Sequence, residues 1–163
     1  MSLPAKVTIE HNPASADHAA LRAVKAYWEE KRGERRMAAR RDILPAELRE
    51  YLPQILLVDV LPGATDFRYR LVGSKLRPYF PREATGKNMR EALAAFGENT
   101  VSSTLEVYGT VAAGTPLRIT GPGHLYAQQS KFFEAMLLPL SDDDREVNMI
   151  FGAFEFEWKA QHL

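Results

Sequence analysis

The stretch QILLVDVLPGATDFRYRLVG, residues 54–73, predicts a β-hairpin that needs partners elsewhere in the chain. Residues 54–61 are dominated by Ile, Leu and Val, as in a well-buried strand, and a Pro-Gly turn follows them. Residues 66–73 alternate between apolar and largely polar positions. The apolar positions of this second strand are Phe67, Tyr69 and Leu71. A hairpin cannot bury both of its faces alone, so we expect these strands to join later ones in a single sheet.

The remainder of the chain predicts helices and then three more strands. Apolar side chains recur at helical spacing over residues 99–113, which indicates the longest central helix. Strand patterns follow in residues 116–120, 126–140 and 147–158, and short loops join them. Short connections favour an antiparallel meander. The predicted fold is therefore α+β, with a five-stranded antiparallel sheet, helices on one face and an additional N-terminal helix.

The N-terminal region predicts a loose lead-in over residues 1–13 and then a helix that ends at about Arg32. Its apolar stripe could cover the sheet or form a partner interface, for instance with a second copy of the chain. The stripe consists of Leu21, Val24, Tyr27 and Trp28. We therefore divide the chain into a lead-in and helix (1–33), the sheet domain (34–158) and a tail (159–163).

Composition excludes several functional classes. Lys and Arg together number 21, as do Asp and Glu, so no net charge attracts nucleic acid or an acidic membrane. The chain has no cysteine, which excludes disulfides, thiolate metal sites and cysteine nucleophiles. No apolar run approaches the ~20 residues of a membrane span, and no signal peptide is evident. We expect a cytoplasmic protein that contacts neither nucleic acid nor membrane.

Several motifs resemble those of a bacterial single-domain PAS family. They are a Trp-bearing helix, ARRDILPAELREYLPQILLVDV (39–60), FRYRLVGSKL (67–76), TGKNM (85–89), GTPLR (114–118) and FEAMLLPLSDDD (133–144). The resemblance extends from about residue 27 to residue 156. It implies a PAS-like fold and a sensory or protein-interaction role in signalling. The motifs belong to the scaffold and identify no ligand, because a fold does not fix a function.

The resemblance also implies where a ligand would lie, because PAS domains often hold a small molecule, or an empty apolar cavity, between the sheet and the central helix. For any one apolar residue, the alternative is that it simply fills the core. Tyr69 and Tyr108 are the better ligand candidates, because a buried phenol needs a hydrogen-bond partner. The predicted lining residues are Phe67, Tyr69, Leu71, Leu105, Tyr108, Val111, Phe132, Met136, Met149 and Phe151.

No cofactor is indicated by the sequence, and no metal site is predicted. The four histidines are His11, His18, His124 and His162, and none lies in a central helical segment where a haem ligand would be expected. Flavin photochemistry of the light-sensing kind would need a cysteine. The acidic run 142–144 lacks the spaced oxygen ligands of a calcium loop, so a solvated turn is favoured.

An alternative interpretation is a cone-shaped α+β enzyme of the isomerase or cyclase type. Glu134 or Asp59 would be its base, and Tyr69 or Tyr108 would donate to an oxyanion. If Glu134 faces inward it needs a partner such as Arg70 or Arg118, and a structural ion pair is the favoured explanation. The hairpin before the central helices also disfavours this enzyme fold, so we predict no catalytic residues.

These observations favour a module that works through another signalling protein or by forming a homodimer. No kinase, cyclase or DNA-binding segment fits in the residues outside the predicted domain. A ligand-free interaction scaffold remains an alternative, because sequence periodicity does not measure the volume of a cavity.

Overall fold

The computed structural model describes residues 7–122 and 130–158, and it places six strands in one antiparallel sheet. The strands are β1 (Thr8–His11), β2 (Ile55–Val60), β3 (Phe67–Val72), β4 (Leu117–Pro122), β5 (Ser130–Leu140) and β6 (Met149–Trp158). Their spatial order is β1-β4-β5-β6-β2-β3. The helices are α1 (Ala19–Arg32), α2 (Met89–Ala92) and α3 (Glu98–Ala112), and short 3-10 turns connect them. The predicted α+β class and antiparallel sheet are confirmed.

The predicted meander is present, and it joins the hairpin through its last strand. β4, β5 and β6 pair in sequence order, and β6 then pairs with β2. The longest ladder joins β5 to β6, which lie at the centre of the sheet. The hairpin therefore joins the sheet through β2, which pairs with the C-terminal strand β6.

One strand was missed by the sequence prediction. Residues 1–13 were expected to be a loose lead-in, but Thr8–His11 forms β1 and pairs with β4 at the sheet edge. This strand has only four residues, and most of its side chains are exposed. A strand this short and polar has no hydrophobic alternation to detect. Its extended conformation depends on pairing with β4.

Helices cover both faces of the sheet. Directly paired residues project from the same face, so the register assigns each side chain to one of two surfaces. We call these surfaces the α1 face and the α3 face, after the helix that covers each of them. The α1 face includes Leu57, Glu134, Met136, Phe151 and Ala153, and the α3 face includes Val58, Tyr69, Ala135, Ile150 and Phe154.

Helix α1 uses its apolar stripe within the same chain. Leu21 and Val24 are fully buried and Trp28 is nearly so, whereas Tyr27 is half-buried. The expectation that these residues form a partner interface is corrected for Leu21, Val24 and Trp28, because the sheet already occupies that side of the helix. Residues 7–33 thus contribute a strand and a covering helix to the same core as the rest of the domain.

A β-bulge in β3 changes which residues face the core. Leu57 pairs with Leu71 and Val58 pairs with Tyr69, so Arg70 is the extra residue opposite the β2 ladder. The bulge reverses the alternation after Tyr69: Leu71 is 37% exposed, and Val72 is buried. The prediction that Leu71 shares a buried face with Phe67 and Tyr69 is therefore wrong.

Several short connecting segments form 3-10 turns. The segment 46–52 forms 3-10 turns at Pro45–Leu48 and Leu52–Gln54, and the segment 75–79 forms one at Arg77–Tyr79. Proline lies at the first or second position of each of these turns. In the part of the chain that the structure describes, no helix combines the length and apolar character needed to cross a membrane.

Candidate functional site

Aromatic rings pack between the sheet and the segments that cover its α3 face. The ring of Tyr79 stacks on Phe156 with a centroid separation of 3.7 Å, and Phe80 meets Phe154 edge to face at 5.2 Å. On the other side of this layer, Phe67 contacts Tyr108 of α3 at 5.9 Å. We call this set the aromatic layer: Phe67, Tyr69, Tyr79, Phe80, Tyr108, Phe133, Phe154 and Phe156.

Half of the predicted lining residues lie on this side of the sheet. Phe67 and Tyr69 project from β3 on the α3 face, and both are buried. Helix α3 brings buried Tyr108 and Val111 and half-buried Leu105 against the core. The structure therefore places both tyrosines that the sequence favoured as ligand contacts on the same side of the sheet, with apolar side chains around them.

The other predicted lining residues do not belong to the same wall. Register places Phe132, Met136, Met149 and Phe151 on the α1 face, opposite the aromatic layer. Leu71 also projects from that face. The correction has a physical cause: residues 135–140 of β5 and the first half of β6 are apolar on both faces, because helices cover both. Consecutive apolar residues carry no alternation from which the inner face could be chosen.

The sequence prediction missed five aromatic residues that complete this layer. Alternation near the end of β6 put Phe154 and Phe156 on one face and Glu155 and Glu157 on the other, and the register confirms this. That signal could have directed the search to the correct face. The missed residues are Tyr79, Phe80, Phe133, Phe154 and Phe156.

Tyr79 lies at the buried edge of the aromatic layer. Burial raises its pKa above the usual value for a phenol, because the charged form would lose water contacts. A 3-10 turn, Arg77–Tyr79, holds the ring flat against Phe156 with an interplanar angle of 7°. The phenol therefore remains neutral at physiological pH.

A cluster of charged groups lies on the opposite face, where the chain enters α1. Glu134 is completely buried, and its carboxylate accepts hydrogen bonds from the backbone N–H groups of Asp17 at 2.8 Å and His18 at 2.9 Å. Arg118 Nε donates to the same carboxylate at 2.6 Å. The His18 ring completes the set, with Nδ1 at 2.7 Å from Glu134 and Nε2 at 3.1 Å from Glu157. The expected partner Arg118 is thus present.

The donors around Glu134 determine its charge state. Burial favours the neutral acid, but hydrogen bonds from the Asp17 and His18 backbone, the His18 ring and Arg118 outweigh it and lower the pKa of Glu134. Partial burial lowers the pKa of Arg118, but the hydrogen bond and charge of Glu134, together with Asp17 and Glu10, raise it above the ordinary value. Glu134 is therefore a structural anion that fixes the start of α1 on β5.

The family is decided by a sequence match that covers most of the chain. A model of the PAS domain matches residues 16–155. The chain belongs to the PAS domain family. No protein of curated function has a sequence that matches it.

A solved structure supports the same fold. This PAS domain is similar to a protein described as an RNA-binding Light-Oxygen-Voltage receptor, with a TM-score of 0.51 and 14% sequence identity. The match covers 93% of the present chain and 38% of the receptor chain. At this identity the likeness concerns the fold, and the RNA binding is a property of the receptor.

The PAS domain does not assemble the constellation that the enzyme alternative required. Asp59 and Glu134 project from the α1 face, whereas Tyr69 and Tyr108 lie on the α3 side of the sheet. Each carboxylate is also engaged, Asp59 by Arg68 at 3.3 Å and Glu134 by its four donors. The candidate bases and the candidate oxyanion donors are thus separated by the thickness of the sheet.

The histidines of this PAS domain lie in separate parts of the chain. His18 belongs to the charged cluster, His11 lies in β1, and His124 and His162 fall outside the described residues. Within residues 7–122 and 130–158, no three His, Cys, Asp or Glu side chains are grouped so as to hold a metal ion.

Proposed function

We propose that this PAS domain is a sensory module that binds a small molecule between the sheet and α3 and acts through another protein. The aromatic layer carries this proposal. It lies where the family resemblance implies a ligand, and it contains three buried tyrosines: Tyr69, Tyr79 and Tyr108. Aromatic and apolar surface with a few polar groups is the usual lining of small-molecule sites.

The chemistry of the layer favours a planar, largely apolar ligand. Stacked and edge-to-face rings offer both π faces and ring edges to such a molecule. The tyrosine hydroxyls would orient one polar group of the ligand. Phe67, Tyr69, Leu105, Tyr108 and Val111 are retained from the sequence prediction as ligand contacts, and Tyr79 is added to them.

We propose that the signal leaves the domain through its N-terminal part. In this view residues 34–158 sense, residues 1–33 transmit, and residues 159–163 form a tail. The exposed side of α1 would contact a second copy or another signalling protein, because the buried stripe is already used by the sheet. We place the protein in the cytoplasm, with no contact to nucleic acid or membrane and no catalytic role.

The test is to compare native with denaturing mass spectra of the purified protein and to record an absorption spectrum. A mass that is retained under native conditions and lost on denaturation would support the proposal and identify the ligand. A protein found only at its sequence mass, and unable to take up planar apolar probes such as flavin or naphthalene derivatives, would favour a ligand-free scaffold.

Two valine substitutions localise the ligand to one face of the sheet. Val111→Phe adds bulk beside the aromatic layer, and Val24→Phe adds the same bulk on the α1 side. Both valines are fully buried, so both variants carry a similar packing cost. We expect the first to lose the ligand and the second to retain it. Retention in both variants would place the ligand elsewhere.

A further inference from the structure

The His18 side chain links the start of α1 to two strands at once. Nδ1 lies 2.7 Å from a Glu134 oxygen on β5, and Nε2 lies 3.1 Å from a Glu157 oxygen on β6. An ionised carboxylate only accepts hydrogen bonds, so both ring nitrogens must donate for both bonds to exist. Only the doubly protonated imidazolium has two N–H groups. The observed bridge therefore requires the charged form of His18.

The groups around His18 are mostly anionic. Glu134 faces it from β5, Glu155 and Glu157 face it from β6, and Asp17 precedes it in the chain. The cations near this cluster are Arg118 on β4, Lys75 near Glu155, and Arg22 on α1, which donates to the carbonyl groups of Ala16 and Asp17. Glu10 on β1 approaches Arg118 at 3.8 Å.

The strand register brings carboxylates together, so their repulsion would destabilise the fold if His18 lost its proton. Glu134 and Glu155 are directly paired across β5 and β6, so two carboxylates project side by side from one face. The imidazolium charge offsets their repulsion. Burial raises the pKa of Glu155, and the neighbouring carboxylates add to that effect, whereas His18 and Lys75 oppose it.

We propose that His18 is a proton-controlled tether that holds the N-terminal end of α1 on the sheet. Losing one ring proton breaks the bridge between the two strands, because either Nε2 then presents a lone pair to Glu157 or Nδ1 presents one to Glu134. The Glu134 contacts to the backbone and to Arg118 do not need that proton. Deprotonation thus weakens the attachment of α1 without abolishing it, and this device does not depend on a ligand in the aromatic layer.

The direction of the pH dependence follows from the surroundings of the ring. Partial burial lowers the pKa of His18, but the hydrogen bond and charge of Glu134, together with Glu155 and Glu157, raise it above the ordinary value. The stabilisation is complete below about pH 6.5, the unfolded value, and is lost as the pH rises through the folded value.

The experiment is amide hydrogen exchange across α1 from pH 5.5 to 9, corrected for intrinsic exchange rates, with the His18 titration followed by NMR. We expect the opening constant of α1 to rise along with the deprotonation of His18, by no more than tenfold per pH unit, because one proton is released. Amides of β5 and β6 should show no such rise. An equal change in both regions would indicate global destabilisation and overturn the proposal.

Two variants make the outcome decisive. His18→Gln should abolish the pH-dependent rise, and His11→Gln, which removes a histidine of β1, should retain it. If His18→Gln does not fold, Glu157→Ala removes the outer acceptor and leaves the Glu134 contacts intact. It should reduce the rise at least threefold. A wild-type opening constant that stays flat through the His18 titration, or a full rise in His18→Gln or Glu157→Ala, would refute the tether.

Discussion

The indole Nε1 of Trp28 donates a hydrogen bond of 2.9 Å to the backbone oxygen of Pro139, 111 positions away in the chain. Pro139 lies in β5 beyond Leu137, where the pairing with β4 ends, so its carbonyl can accept from a helix. Nearby, the Ser141 N–H donates to the Ala38 carbonyl at 2.9 Å. The Trp-bearing helix, the residues before the Arg-Asp-Ile-Leu-Pro segment and the Leu-Pro-Leu-Ser turn therefore meet at one point, which explains their shared occurrence in the family motifs.

Trp28→Phe should destabilise the protein by about 1–3 kcal/mol, because the buried Pro139 carbonyl loses its donor. Chemical denaturation gives the change in the free energy of unfolding. Arg32→Gln, which removes a cation located above the same indole, is the control and should change stability by less than about 0.5 kcal/mol. Equal stability of Trp28→Phe and wild type would show that the bond contributes nothing.

Gly73→Ala should be strongly destabilising, by about 3 kcal/mol or more. A Cβ at this position would lie 2.4 Å from the Pro53 carbonyl oxygen and 2.6 Å from that of Leu52, and backbone cannot move aside as a side chain can. Gly109→Ala in α3 is the matched control, because its Cβ would meet nothing within 4 Å. That change should stabilise the protein by about 0.5–1 kcal/mol. Thermal melts of both variants suffice, and similar shifts in the two would contradict the proposed close approach.

The bulge at Arg70 predicts opposite behaviour for two adjacent residues. Leu71→Ser should change the free energy of unfolding by less than about 0.5 kcal/mol, because the side chain is exposed. Val72→Ser should cost more than about 1.5 kcal/mol, because the buried side chain leaves the core. Regular alternation without a bulge would reverse this order, so urea denaturation of the two variants distinguishes the two registers.

Glu134→Gln should reduce stability at neutral pH by about 3 kcal/mol, because Arg118 and His18 lose a buried charged partner. The lowered pKa of Glu134 means that its contribution exists above the unfolded pKa and is lost as the pH falls through the folded pKa. The variant should therefore lose less stability on acidification than the wild type does. Urea denaturation at several pH values measures this, with Glu106→Gln on the exposed side of α3 as the control. A wild-type acid response in Glu134→Gln would exclude this carboxylate as the acid-sensitive group.

The sequence alone predicted the elements whose apolar pattern and flanking turn residues lie within the same segment. The hairpin at 54–73 and the strand at 147–158 were located within two residues, because apolar runs bounded by turn residues are specific signals. The helix ending before Gly33 was also found, and that glycine has a φ of 58°. Each of these signals is local to the segment that it predicts.

Errors arose where the structure depends on distant partners. The β1 strand exists because β4 offers it an edge, and the bulge at Arg70 exists because β2 sets the register of its partner. The inner face of β5 could not be chosen, since residues 135–140 are apolar toward both helices. His18 was overlooked because its two carboxylate partners lie 116 and 139 positions away.

Phe133 and Glu134 are neighbours in β5, yet they serve opposite sides of the molecule. Phe133 touches Phe156 of the aromatic layer at 6.3 Å, and Glu134 holds the start of α1. Their cross-strand partners, Phe156 and Glu155, are likewise consecutive in β6. A single peptide unit thus connects the aromatic layer to the residue that holds α1. If a ligand in the aromatic layer twists β5 against β6, the attachment of α1 must tilt in the same movement. No residue lies between Phe133 and Glu134 to separate the two motions.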